Sequence, residues 1–152
     1  MTKQQWLTFE QERAWRAYRQ MRTLLDLQLA RDLQRNSGLS EPDYDVLSTL
    51  SESPSGSWRA REFAARLRWS TSRLAHQIGR MQRRGLVQRS STDEDGRGAL
   101  VALTENGWAT LRDAAPAHVT SVRRNLIDLL SPAEITTLAN IAGKVIDHLQ
   151  TP

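Results

Sequence analysis

The chain has 152 residues, no cysteine and a formal net charge of +4, with 39% of its residues hydrophobic and 25% charged. That length and apolar content suit one domain with a single core, and the lack of cysteine excludes disulfides and thiol-based redox sensing. No apolar run approaches the roughly 20 residues of a membrane-spanning helix, and the charged N-terminal stretch after Met1-Thr2-Lys3 has no signal-peptide pattern, so a cytoplasmic protein is expected.

Leu7, Ala14, Tyr18, Met21, Leu25, Leu29 and Leu33 recur near one stripe and predict a long first helix over 6–35, stopped at Asn36-Ser37-Gly38. Ser40 caps a second helix, with Asp43 three residues on in a capping-box-like position. Ser53-Pro54-Ser55-Gly56-Ser57 reads as a loop. Residues 61–68 form a short helix with Phe63, Ala64 and Leu67 on its inner side, and Trp69-Ser70 is a tight junction to the next helix. That helix runs from an N-cap at Ser70 to Arg84, turns at Gly85, and faces a core with Leu74, Ile78 and Met81. Two short helices with a brief turn between them are a helix-turn-helix arrangement, although no glycine marks this turn.

The opposite face of the 70–84 helix carries Thr71, Ser72, Arg73, His76, Gln77, Arg80 and Arg84. These hydroxyl, amide and guanidinium groups are the kind that read base edges or hold phosphates. Residues near the start of a recognition helix reach the bases, so Thr71, Ser72, Arg73 and Gln77 are expected there, with His76 beside them and the cap Ser70 also at the DNA-binding surface. Arg80, Arg83 and Arg84 are better placed for phosphates. The same face also reads as an ordinary solvated basic surface. Next come two β-prone runs, 86–90 and 99–103, around a polar tip, Thr92-Asp93-Glu94-Asp95-Gly96-Arg97-Gly98. A guanidinium at that tip suits a narrow minor groove, which assigns Arg97 to DNA and leaves Asp95 to hold it or cap the turn; a merely solvated arginine is the other reading. Residues 59–97 hold ten arginines against four acids, a local net of +6 that leaves −2 for the remainder. A basic segment on a near-neutral body is the footprint of a polyanion partner, here double-stranded DNA.

Thr104 caps a long fifth helix in which Pro116 should force a kink, and Ser131-Pro132-Ala133-Glu134 opens a last helix with Ile135, Leu138, Ala142, Val145, Ile146 and Leu149 on its apolar face. His76, His118 and His148 are scattered, and neither a two-histidine helical metal motif, a phosphate loop nor a nucleophile elbow is present. Neither an enzyme nor a metal or cofactor site is expected.

With Leu50, the helix pair, Gly85-Leu86-Val87, Asp95-Gly96-Arg97 and Leu103-Thr104-Glu105-Asn106-Gly107, the chain resembles the MarR family of winged-helix transcriptional regulators. Leu39 to Leu47 and Leu130-Ser131-Pro132-Ala133-Glu134 match as well, so the resemblance covers nearly the whole chain. It implies a mainly α fold with a small β-hairpin wing, in one domain over 1–152. Within it a winged helix-turn-helix lobe spans about 39–104, flanked by dimerisation helices in 1–38 and 105–152. It also implies a homodimer on pseudo-palindromic operators, a repressor released by a small ligand. For that ligand it points to an anionic aromatic effector near Trp15, Tyr18, Arg19, Tyr44 and His118, residues that read equally as core aromatics with snorkelling arginines. The alternative function is a winged-helix protein-interaction module without specific DNA readout, and the presence of Arg97 and the polar helix face weighs against it.

Overall fold

The computed structural model describes residues 5–91 and 98–151. In chain order it contains α1 (Phe9–Ser37), α2 (Glu41–Glu52), β1 (Ser57–Arg59), α3 (Ala60–Leu67), α4 (Thr71–Arg83), β2 (Val87–Ser91), β3 (Ala99–Leu103), α5 (Glu105–Asn125), a 3₁₀ turn at Ile127–Leu129 and α6 (Pro132–Gln150). The chain divides into two compact units, one over 32–118 and one made of 1–31 with 119–152. The first unit therefore takes in the end of α1 and more than half of α5, beyond the expected 39–104. It holds the winged helix that the resemblance implies.

Helix starts are set by side chains that bond backbone amides left open by the first turn. Ser40 Oγ accepts from the Asp43 N–H at 3.2 Å, while Asp43 Oδ2 accepts from the Ser40 N–H at 3.0 Å. Ser131 and Glu134 form the same reciprocal box on α6. Ser70 Oγ accepts from the Arg73 N–H at 3.1 Å. Helix ends follow a second rule. At the end of α4 the Gly85 N–H donates to Gln82 O and the Leu86 N–H to Met81 O, both at 3.0 Å, with Gly85 at φ +72°. This is the paired turn that favours glycine in the left-handed region. The end of α3 has the same pattern, Arg68 N–H to Ala65 O and Trp69 N–H to Ala64 O, but there Arg68 takes φ +56°. An arginine thus fills the place in the helix-turn-helix where a glycine is usual, at a cost of about 1 kcal/mol.

The three strands form one antiparallel sheet in the order β1-β3-β2. In the hairpin Val87 lies opposite Leu103, Arg89 opposite Val101 and Ser91 opposite Ala99. β1 lies where the sequence suggested only a loop running into a helix: Ser57, Trp58 and Arg59 pair with Ala102, Val101 and Leu100. Three residues carry no readable alternation, so their pairing is decided by β3 rather than by themselves. Pro116 sits within α5, which continues through it to Asn125.

The core lies within 32–118. Leu39, Val46, Leu47 and Leu50 join Phe63 and Ala64 of α3, Leu74, Ile78 and Met81 of α4, and Val87 and Val101 of the hairpin in one buried cluster. The start of α5 is fixed onto the α4–β2 turn by a close backbone approach. Thr104 Oγ1 donates to the Gly85 carbonyl at 2.6 Å and accepts from the Gly107 N–H at 2.9 Å, and the Thr104 N–H donates to Leu86 O at 3.2 Å. A Cβ on Gly107 would stand 2.1 Å from that same Leu86 oxygen. Only glycine permits this contact, which gives the Leu103-Thr104-Glu105-Asn106-Gly107 phrase a steric meaning.

The other unit is different in kind. Among its described residues no hydrophobic side chain is buried, and Phe9, Leu129 and Leu149 are 80%, 73% and 74% exposed. It contains an apolar cleft of about 530 Å³ lined by Met21, Leu24, Leu25, Leu27, Leu126 and Leu130 among others.

Gly107→Ala is expected to destabilise the protein by about 1–3 kcal/mol, because the added methyl must push the α5 start off Leu86. Urea denaturation reads this as a lower midpoint at unchanged slope; an unchanged midpoint would show that the two backbones are not in forced contact.

Candidate nucleic-acid interface

Burial of Leu74, Ile78 and Met81 orients α4, and Thr71, Ser72, Arg73, His76, Arg80, Arg83 and Arg84 are exposed as a result. Ser70 is exposed too, with its hydroxyl oxygen engaged as the helix cap. Gln77 departs from the expectation of base readout. It is 3% exposed, and its Nε2 donates to Asp43 Oδ1 at 2.7 Å while its Oε1 accepts from Arg80 Nη2. An amide enclosed and bonded at both ends cannot present itself to a base edge. The signal was available in the numbering, since position 77 is three residues from Leu74 and four from Met81 and so belongs to the buried stripe.

Arg84 is also more constrained than a free surface cation. Its Nη1 donates to Asp43 Oδ2 at 2.7 Å and its Nη2 reaches the Gly38 carbonyl at 3.5 Å, yet 44% of the side chain remains exposed. Asp43 is the common acceptor. Burial raises its pKa, but the hydrogen bond from Arg84, those from Ser40 and the Arg84 charge outweigh that and hold the carboxyl below the usual aspartate range.

At the other end of α4 the Arg73 guanidinium lies 4.2 Å from the centre of the Trp69 ring. A cation over an indole face is attracted by the ring's electrons and loses conformational freedom. Asp45, although exposed as a residue, lies within electrostatic reach of Arg73: desolvation raises its pKa while His118 and Arg73 pull it down.

Between α4 and the strands runs a cleft of about 520 Å³ lined by Arg61, Thr71, Ala75, Arg89, Gly98 and Ala99, among others. Arg61 and Arg89 were counted in the basic segment but not singled out from sequence, because a five-residue strand and the first turn of an eight-residue helix do not declare which side chains meet. Asp95 and Arg97 lie outside the described residues.

The residues expected at an effector site fall into two groups in different units. Trp15 and Tyr18 stack at 5.9 Å with Arg22 over Tyr18, and Arg19 lines a shallow recess with Arg16, Gln20, Thr23 and Leu24. Tyr44 and His118 have ring centroids 4.3 Å apart, burial raises the pKa of the Tyr44 hydroxyl, and the enclosed His118 Nδ1 has no hydrogen-bond partner among the described residues. Among the described residues no group of His, Asp and Glu could hold a metal ion, and no helix is long and apolar enough to cross a membrane.

A model of the MarR family matches residues 37–98. The structure is similar to that of AbsC, a MarR family transcriptional regulator from Streptomyces coelicolor, at 42% identity and a TM-score of 0.92, covering 97% of this chain and 99% of that one. It is similar too to Sco3205, a MarR family regulator from the same organism solved in complex with DNA, at 36% identity and a TM-score of 0.93 over 99% and 94% of the two chains. In sequence the chain is 30% identical to the transcriptional regulator HosA of Escherichia coli over 132 residues, 87% of this chain and 96% of the relative. With a further curated relative from Bacillus subtilis the match spans 58% of that protein's length.

The depressed pKa of Asp43 has a consequence for stability. A carboxyl whose folded-state pKa lies below its unfolded value contributes stability above about pH 4 that is lost as pH falls through the lower folded value. Asp43→Asn is expected to be less stable than the wild type at neutral pH, with the gap narrowing in acid. Chemical denaturation between about pH 7 and pH 2 checks this; a gap constant over that range would contradict the depressed value.

Proposed function

Because the chain belongs to the MarR family of transcriptional regulators, we propose that it acts as a homodimeric repressor that binds pseudo-palindromic operators in double-stranded DNA and is released by a small ligand. The observation that carries the DNA part is the exposed row of Thr71, Ser72, Arg73, His76 and Arg80 on the second helix of a helix-turn-helix, within a segment of net +6. In this reading α4 enters a major groove. Thr71, Ser72 and Arg73 meet base edges with His76 close by, while Ser70 remains the cap that directs the helix N-terminus at the DNA. Arg80 and Arg84 hold phosphates, Arg61 and Arg89 line the cleft for the strand that passes between helix and wing, and Arg97 serves the minor groove, with Asp95 to hold it or cap the turn. The similarity to Sco3205, solved with DNA at 36% identity, supports this arrangement. The action of such a protein on DNA belongs in the cytoplasm.

The dimer is supported by the unit formed from both ends of the chain, many of whose large apolar side chains are exposed. A second copy is the partner that shields them, and two-fold symmetry would set two α4 helices about 34 Å apart, one turn of the duplex. For the effector, the Tyr44–His118 pair with its unpartnered imidazole nitrogen suits an anionic aromatic molecule, with Trp15, Tyr18 and Arg19 as the corresponding set on the other unit.

Selection of duplexes from a random-sequence pool is expected to enrich a pseudo-palindrome bound by two copies of the chain, with affinity falling log-linearly as salt rises. Arg97→Ala should then weaken binding by about 1–3 kcal/mol. Binding that is weak and indifferent to sequence would favour the protein-interaction module instead.

A further inference from the structure

Gln77 occupies a place where an amphipathic helix ordinarily carries leucine or methionine. Its neighbours on the stripe, Leu74, Ile78 and Met81, are all buried, and it is as enclosed as they are. A carboxamide there is unfavourable unless both of its ends are bonded. Both are, and the direction of the bonding is dictated. An ionised carboxylate can only accept, so Asp43 Oδ1 takes the amide NH₂ at 2.7 Å and leaves the Gln77 oxygen facing Arg80 Nη2. The second oxygen of the same carboxylate accepts from Arg84 Nη1 at 2.7 Å. Arg80 and Arg84 are four residues apart, one turn along α4, so their side chains share a face. Arg83 lies off that relay and, among the described residues, bonds the Gly79 carbonyl of its own helix, at 3.2 Å.

We propose that Asp43 and Gln77 are positioning residues for the DNA backbone: one buried carboxylate on α2, acting through Gln77 on Arg80 and directly on Arg84, presents two guanidiniums as a fixed pair to neighbouring phosphates of one strand. The inference rests on the regulator reading and deepens it. An unrestrained arginine loses its rotamer freedom when it meets a phosphate, whereas one already bonded on its inner side has lost part of that freedom and still has N–H groups facing outward. Affinity rises without a new contact. Were packing the only requirement here, apolar residues at positions 43 and 77 together would fill the space with no polar group to desolvate.

The test is a double-mutant cycle on a duplex enriched from a random-sequence pool by the wild-type protein. Gln77→Met is expected to melt below the wild type, because Asp43 Oδ1 loses its donor, yet to stay folded at the assay temperature and bind that duplex about tenfold more weakly, and Arg80→Ala to lose a similar factor. In the Arg80→Ala background Gln77→Met should cost nothing further, since it acts through Arg80. Should Gln77→Met fail to fold, Asp43→Asn is read the same way: its penalty should vanish when Arg80 and Arg84 are both alanine. Penalties that multiply, or a Gln77→Met protein of unchanged affinity, overturn the positioning role while leaving the regulator reading intact. A pool that yields no enriched sequence overturns the regulator reading and this inference with it.

Discussion

A carboxylate as enclosed as Asp43 stays ionised only where donors converge on it. Three do: the Ser40 N–H, Gln77 Nε2 and Arg84 Nη1. They come from the turn before α2, the middle of α4 and the residue just past its end. Val46, Leu47 and Leu50 share one apolar cluster with Leu74, Ile78 and Met81, and that cluster brings α2 and α4 together. Hydrophobic contact is non-directional and tolerates sliding and rotation; hydrogen bonds to a single carboxylate do not. The buried stripe of Leu74, Ile78 and Met81 sets which side of α4 turns inward, and the bonds to that one buried charge fix its rotation and register within that limit.

The ends of α4 are held by contacts of another kind. Before it, Arg68 in the left-handed region directs the chain from α3 into the Ser70 cap; after it, Gly85 turns the chain into β2. The Thr104–Gly107 approach then ties the far side of the hairpin back to this second turn. Helix α4 and the hairpin strands are thereby joined through backbone rather than through long side chains, the stiffer of the two ways to do it.

Much of this was legible in the sequence where the cause is local. Ser40 with Asp43, Ser131 with Glu134, Ser70 and Gly85 act within a few residues of themselves, so spacing and residue type suffice. The core faces of α3 and α4 followed from periodicity for the same reason. Legibility ended where the partner is distant. Gln77 and Arg84 lie 34 and 41 residues from Asp43, and no pattern within a helix encodes that meeting. Gln77 was drawn to the wrong face by its chemistry although its position already placed it inside. β1 takes its pairing from β3 and could not be read from Ser57, Trp58 and Arg59 alone. Arg61 and Arg89 were visible as charge but not as a pair, since their common cleft exists only once α3, α4 and the hairpin are assembled.

The stacking of Arg73 on Trp69 carries an optical consequence. Of the five tryptophans in the chain, Trp69 alone, among the described residues' contacts, sits beneath a side chain that the DNA reading assigns to a base edge. Trp58 is also covered by an arginine, but Arg66 is held there by Glu52 at 3.2 Å, away from α4. Indole emission responds to a cation leaving its face, so the first turn of α4 carries its own unlabelled fluorophore. Arrival of a duplex at that turn can be followed in time as a change in the summed indole emission, the part that a Trp69→Phe protein would lack.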